Sequence, residues 1–348
     1  MQAARAENPG DDGLWRRRLQ QFRANRRAWW SLWMFAALLA LSAFAGLIAN
    51  DRPLMVWTSD AIRFPVLSDH PETDYGGILP SETDYRDPAV QALIQARDGW
   101  VVWPAIPFSH DTIRYDLSAP APSPPDAQSW LGTDDTARDV SARVLYGLRT
   151  SLFFGLTLAL GAAALGVLLG ALQGYYGGWT DLTAQRLTEV WMSVPELYVI
   201  LIVASAFAPS FTVLLLILLA FSWAGLAQSV RAEALRVRAQ PYVTAARALG
   251  LSDRQILLSH ILPNALVAAI TFLPFVLNSA IATLTSLDFL GLGLPPGSPS
   301  LGELLAQGKN NLDSPWLGLT AFVLIAAVLS LTVFIGEGLR DALDPRKS

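Results

Sequence analysis

Apolar residues in this chain fall into long unbroken runs separated by short polar stretches. A bilayer core of about 30 Å is crossed by about 20 apolar residues in helical form. Six segments reach that length: 29–49, 150–172, 187–207, 211–229, 265–287 and 316–336. The third is interrupted by Pro195 and Glu196. This predicts either a kink whose freed carbonyl a neighbouring helix satisfies or a hinge that gates a path. The predicted fold class is therefore all-α, a polytopic membrane protein with six transmembrane helices. The first run contains Ala43-Phe44-Ala45, which has the form of a signal cleavage site. A cleaved signal carries a shorter apolar core, about 7–15 residues, so a retained first span is expected.

Arginines orient the spans. Arg16, Arg17, Arg18, Arg23, Arg26 and Arg27 precede the first, and Arg231, Arg236, Arg238, Arg247 and Arg254 lie between the fourth and fifth. Basic residues stay on the cytoplasmic side, so both termini and the 232–264 loop are expected there, with Arg340, Arg346 and Lys347 in agreement. The expected organisation is a cytoplasmic basic N-terminus (1–28), a first transmembrane helix (29–49), a periplasmic insertion (50–148), a five-helix core (149–340) containing the 232–264 loop, and a cytoplasmic tail (341–348). Trp29, Trp30, Trp33 and Trp316 suit the membrane interface, so lipid is a partner. The insertion holds 15 acids against 7 arginines, and Trp57, Trp100, Trp103 and Trp130 predict that it folds. Its stretch Ala119-Pro120-Ala121-Pro122-Ser123-Pro124-Pro125 reads as a stiff extended connector.

Composition removes several kinds of chemistry. Of 348 residues, 52% are hydrophobic and 16% charged, against about 25% charged in an ordinary soluble domain. A net charge of −4 gives no reason to expect nucleic acid. With no Cys and three scattered His (His70, His110, His260), neither a metal site nor a thiol nucleophile is expected. Gly302, Gly308 and Lys309 do not have phosphate-loop spacing, and no zinc-protease or nucleophile-elbow motif occurs. No catalytic residue, resident cofactor or metal is expected, and the chain is read as a non-enzyme.

Polar groups within spans are costly and therefore informative. Gln173, Glu189, Gln228, Asp288 and Glu337 sit near predicted span ends, where water can solvate them, whereas Glu196 and Asn278 lie deeper and are the pathway candidates. Gly166, Gly170 and Gly174 recur every fourth residue and lay a smooth stripe along the second span, suited to close packing of another backbone.

The polar segment between the fourth and fifth spans has its own grammar. Pro241 suits the first turn of a helix, where its missing N–H lacks a partner in any case. A short helix over 242–249 is expected to end at Gly250 through a left-handed turn. Ser252 and Gln255 form a capping box that starts a second helix, and Pro263 leads into the fifth span. Ala245 and Ala246 would let the short helix sit deep in a groove, with Arg247 toward water or acidic groups. On pattern alone, a generic amphipathic surface helix fits equally well.

Thr244-Ala245-Ala246, then Gly250, then Ile261-Leu262-Pro263 resembles the EAA loop of ABC importer permeases, although Thr244 stands where that family usually has Glu and His260 where it has an apolar residue. Leu131-Gly132-Thr133-Asp134 with Arg138-Asp139-Val140 is similar to dipeptide and oligopeptide permeases, with Ala137 in place of a usual Gly. The same holds for Leu287-Asp288-Phe289-Leu290-Gly291-Leu292-Gly293. The insertion, through Asp74-Tyr75-Gly76-Gly77, Asp84-Tyr85-Arg86-Asp87-Pro88 and Gly99-Trp100-Val101-Val102-Trp103, resembles the E-type permeases of Yej peptide and microcin C importers. The resemblance implies a type I importer permease fold in a bacterial inner membrane. It also implies peptide transport, a second permease subunit, an ABC ATPase subunit that binds ATP and magnesium, and a periplasmic solute-binding protein. Tyr242, Thr244, Ala245, Ala246, Leu249, Gly250 and Pro263 would then couple to the ATPase. The alternatives are an ion-driven or channel-type transporter with no ATPase partner, using Glu196 and Asn278, and a membrane-anchored binding module working through its insertion.

Overall fold

The computed structural model describes residues 11–117 and 119–343, the first five of them by backbone alone. Residues 1–10 of the expected N-terminal segment and 344–348 of the expected tail, with Arg346 and Lys347, lie outside the described residues. The chain divides into two compact units. One gathers Phe153–Leu284 with the end segments up to Ala36 and from Ala326, and the other joins Ala37–Leu152 to Thr285–Ile325.

The chain begins with α1 (Asp11–Ala24), α2 (Arg26–Ala43) and α3 (Ala45–Ile48). The expected first span is thus divided: Phe44, at φ −91° and ψ 19°, separates α2 from α3. α2 also carries Arg26 and Arg27 in its first turn, and it is not one of the four helices that, among the described residues, are long and apolar enough to cross a membrane by themselves.

The insertion adds a small sheet to an otherwise helical chain. β1 (Met55–Trp57) lies between β2 (Ile62–Arg63) and β3 (Trp100–Val102), antiparallel to both, with Trp57 opposite Ile62 on one side and Trp100 on the other. α4 (Pro88–Gln95) starts at Asp87, whose carboxylate accepts the Ala89 N–H at 2.8 Å. Val56, Tyr75, Tyr85, Val90 and Ile94 form the core here, with the two tyrosine rings edge to face at 5.6 Å. The proline-rich stretch is tied down rather than free-standing: Ser123 is buried, receives a bond from the Thr133 N–H and donates its own N–H to the Thr133 hydroxyl, both at 2.9 Å.

α5 (Val140–Tyr176) begins ten residues before the apolar run does. α6 (Gly178–Met192) and α7 (Glu196–Ala206) are separate helices bent by 63°. The expected third span is therefore a broken pair, not a kinked helix. Proline restricts Val194 and takes an extended ψ of 119° itself, so the hydrogen-bond ladder stops there. α8 (Phe211–Arg238) continues for nine residues beyond the predicted span end. It packs on the glycine stripe of α5: a Cβ at Gly174 would fall 2.6 Å from the Ala234 methyl, and one at Gly170 would collide with the Ala227 carbonyl.

α9 (Pro241–Ala248) and α10 (Asp253–Ile256) follow, then a π turn (Leu257–Ile261) and α11 (Leu262–Phe289). The expected boundary at Pro263 is absent, since helix runs without a break from Asp253 to Phe289. A proline in a helix clashes with the carbonyl four residues back. The wider turn just before it, closed by the Leu262 N–H on the Leu257 carbonyl, accommodates the ring. α12 (Leu301–Asn310) and α13 (Pro315–Leu343) complete the chain. Asp288, expected to be solvated, is buried. Its carboxylate accepts the Leu294 N–H at 2.8 Å and the Ser300 hydroxyl, which folds the loop after α11 back on itself.

Candidate functional site

α9 is built as a rigid projection. Pro241 occupies its first turn, and its far end closes as a Schellman motif: the Gly250 N–H bonds to the Arg247 carbonyl at 3.0 Å and the Leu251 N–H to the Ala246 carbonyl at 3.2 Å. Gly250 sits at φ +85° with open space around the position of a Cβ, so the requirement for glycine is conformational and not steric. The Ser252–Gln255 capping box is present in full.

One face of the helix is anchored. Val243 and Ala246, one turn apart, are both buried, and Val243 lies in a core with Tyr175 of α5, Val230 and Ala234 of α8, and Ile256 and Ile261. Ala246 is 8% exposed, packed against the chain itself. The opposite face is bare: Tyr242, Thr244, Ala245, Ala248 and Leu249 are all exposed, Leu249 to 82%. An exposed leucine at a helix tip beside an exposed tyrosine is the composition of a contact surface. Thr244 bonds back to the Gln240 carbonyl at 3.4 Å, and His260 stands edge-on to Tyr242 at 5.7 Å, which places it beside the projection. Pro263 lies in the first turn of α11, exposed, and not on α9.

Sequence reading did not find what fixes the projection from below. The Tyr175 hydroxyl donates to Asp253 at 2.5 Å, while an Arg247 N–H reaches the same hydroxyl at 3.4 Å. Arg247 is exposed to water, as expected, while its guanidinium also stands 5.8 Å from the Tyr175 ring of α5. Nearby, Asp181 of α6 holds Arg231 of α8 through two short bonds of 2.5 and 2.6 Å. The only sequence signal for these pairs was the unexplained presence of charge beside a span.

The two pathway candidates separate. Glu196 opens α7 and lines a cavity of about 430 Å³ walled by α5, α8 and α11 and by Met192. Asn278 belongs elsewhere: its amide donates to the Leu329 carbonyl at 2.8 Å and the Thr332 hydroxyl at 2.7 Å, tying α11 to α13. Its polarity is thereby satisfied inside the chain.

The motif before α5 is structural. Arg143 has no solvent exposure and bonds to the carbonyls of His110, Gly297 and Ser298 and to Glu303 at 2.7 Å, with Asp134 at 3.2 Å from its Nε. Arg138 shares Asp134 at 2.8 Å. The two motifs that bracket the core thus meet in one buried charge network, where each guanidinium has carbonyl or carboxylate partners. The insertion also carries a polar cavity of about 1230 Å³, lined by Asp51, Arg52, Asp84, Arg86, His110 and Asp116 among others. Among the described residues, no cluster of His, Asp or Glu is arranged to hold a metal.

Comparison with known proteins agrees with this architecture. The family model described as binding-protein-dependent transport system inner membrane component matches residues 166–348. That for the N-terminal TM domain of oligopeptide transport permease C matches residues 13–69. The chain is 53% identical over 341 residues to the inner membrane ABC transporter permease protein YejE of Escherichia coli (strain K12), covering 98% of both chains. It is 50% identical over 357 residues to the peptidoglycan transport system permease protein YejE of Agrobacterium fabrum (strain C58 / ATCC 33970), covering 96% of this chain and 93% of that one. To the oligopeptide transport system permease protein OppC of Mycobacterium tuberculosis (strain ATCC 25618 / H37Rv) it is 34% identical over 247 residues, covering 70% and 83%. With its apolar helices and its anchored polar projection, the chain belongs to the family of binding-protein-dependent transport system inner membrane components, the membrane-spanning permeases of ABC transporters.

Proposed function

We propose that this chain is one permease half of a peptide importer, and that the exposed face of α9 receives the motion of a separate ATPase subunit. The carrying observation is the two-sided construction of α9: Val243 is locked into the bundle core and Ala246 is buried beside it, while Tyr242, Thr244, Ala245 and Leu249 stand free on the other face. A helix fixed on one side and bare on the other passes on a push instead of absorbing it. ATP and magnesium would be held by the partner, and this chain would catalyse no reaction of its own. The arginine distribution supports a cytoplasmic α9 with both termini on the same side, and an insertion facing a periplasmic solute-binding protein. The exposed apolar faces of α6 and α7, with Trp179 exposed to 85%, suit lipid or a second permease subunit. Peptides are the proposed cargo, because relatives over most of the chain's length are named for oligopeptide and peptidoglycan transport. Larger peptide conjugates such as microcin C fall within the same reading. An ion-driven transporter has no comparable support.

The absence of Cys makes the test clean. Leu249→Cys and Tyr242→Cys, introduced singly into the full assembly, are expected to cross-link to the ATPase subunit, and nucleotide is expected to change the yield. Cross-links that form only to lipid, or not at all, would refute the docking role.

A further inference from the structure

We infer that Glu196 is the group that receives a positively charged primary amine of the cargo as it passes the break between α6 and α7. This rests on the peptide-import reading above and adds to it a chemical preference inside the membrane path.

Four observations converge on the carboxylate. It lines a cavity of about 430 Å³, within the roughly 300–1,000 Å³ range of small-ligand sites. None of the residues lining that cavity is basic, and Glu196 forms no hydrogen bond or ion pair with any described residue. A lone carboxylate at span depth is costly, and such groups mark substrate or ion paths. Its surroundings are those that bind ammonium groups: Phe221, Phe272 and Phe275 supply aromatic rings, and Ser279 and Thr283 supply hydroxyls that accept N–H bonds. The first turn of α7 presents free backbone N–H groups, which suits an anionic side chain there.

The same features disfavour the other end of a peptide. A carboxylate entering this cavity would meet a like charge and no cation. The cavity therefore discriminates by charge, and the inferred ligand is an aliphatic ammonium, from either a free peptide N-terminus or a lysine side chain.

The test uses the complete transporter in proteoliposomes with its binding protein. Three versions of one short peptide are compared: a lysine-free peptide with a free N-terminus, its N-acetylated form, and an N-acetylated form carrying one lysine. Affinity for the isolated binding protein is measured for each, and uptake is normalised to it. The readout is the ratio of amine-bearing to amine-free uptake. Glu196→Gln is expected to lower that ratio about tenfold, and Glu196→Asp, which keeps the charge, to stay near the wild-type ratio. If only the free N-terminus loses its advantage, the source is the peptide terminus; if both amines do, the site reads any primary ammonium. An equal change in uptake of all three peptides, or no change in the ratio, overturns the assignment and leaves peptide import standing. If the wild-type assembly moves none of the three, the import reading falls and the inference falls with it.

Discussion

Tyr175 of α5 and Asp253 of α10 are joined oxygen to oxygen at 2.5 Å across 78 residues of sequence. The Tyr175 ring is buried in the core beneath α9, and its hydroxyl also meets Arg247 of that helix. One phenol therefore links the projection, the capping-box helix and the long span. Tyr175→Phe keeps the ring and removes the link. The expected cost is local, about 1–2 kcal/mol, and should appear as faster hydrogen exchange across 241–250 with the exchange of α5 unchanged. In the assembled transporter, hydrolysis should continue while uptake per ATP falls. Wild-type exchange in the variant would show that the link carries no load.

The α5–α8 contact gives a steric prediction. Gly170 faces the Ala227 carbonyl and the Val230 side chain, so Gly170→Leu forces the helices apart and should cost at least about 1–3 kcal/mol. Gly225 on α8 has nothing within 4 Å of a Cβ, so Gly225→Ala should be neutral or gain a few tenths of a kcal/mol through helix propensity. Thermal unfolding of the detergent-solubilised chain compares the two directly.

Ala137 sits at φ +62°, a region in which a residue with a Cβ is strained. The turn is fixed by the Ala137 N–H on the Asp134 carbonyl at 3.1 Å, and by the Arg114 N–H on the Ala137 carbonyl at 2.9 Å. Glycine relieves the strain but adds freedom to the unfolded chain, so Ala137→Gly should stabilise by about 0.5–1 kcal/mol net. Ala137→Val should lower the melting temperature, because a branched side chain worsens the same conformation.

His110 makes the insertion sensitive to acid. Burial pushes its imidazole below the usual 6.5, outweighing the opposite pull of Asp111, while its ring lies 4.7 Å from that of Tyr146. The fold thus favours the neutral ring. Below about pH 6.5 the unfolded chain takes up a proton that the folded chain resists, so stability present at neutral pH is lost as the pH falls. Melting temperatures between pH 7 and pH 5 should drop more for the wild type than for His110→Asn. Parallel curves would remove His110 as the cause.

The local grammar of the chain was legible in advance. Pro241, Gly250 and the Ser252–Gln255 pair each act within one turn of helix, and each does what its chemistry predicts. The glycine stripe was equally readable, because a four-residue repeat fixes one helix face. Helix lengths were not. An apolar run reports the stretch that needs lipid, whereas α5 and α8 continue as helix where their side chains have turned polar. Long-range pairs were invisible for another reason. Nothing near Asp288 announces that Ser300 will bury it, and nothing near Asn278 announces the Leu329 carbonyl. Glu196 was singled out because its cost is local to its own span, and it alone of the two pathway candidates has no internal partner.

The π turn before Pro263 has a mechanical sequel. Because it lets a proline enter without ending the helix, 37 residues from Asp253 to Phe289 are continuous helix, with Pro274 as a second proline along their length. The turns beside Ser252 and those just beyond Pro263 are then joined by helical hydrogen bonds and not by a loop, so a push on the first is handed to the second.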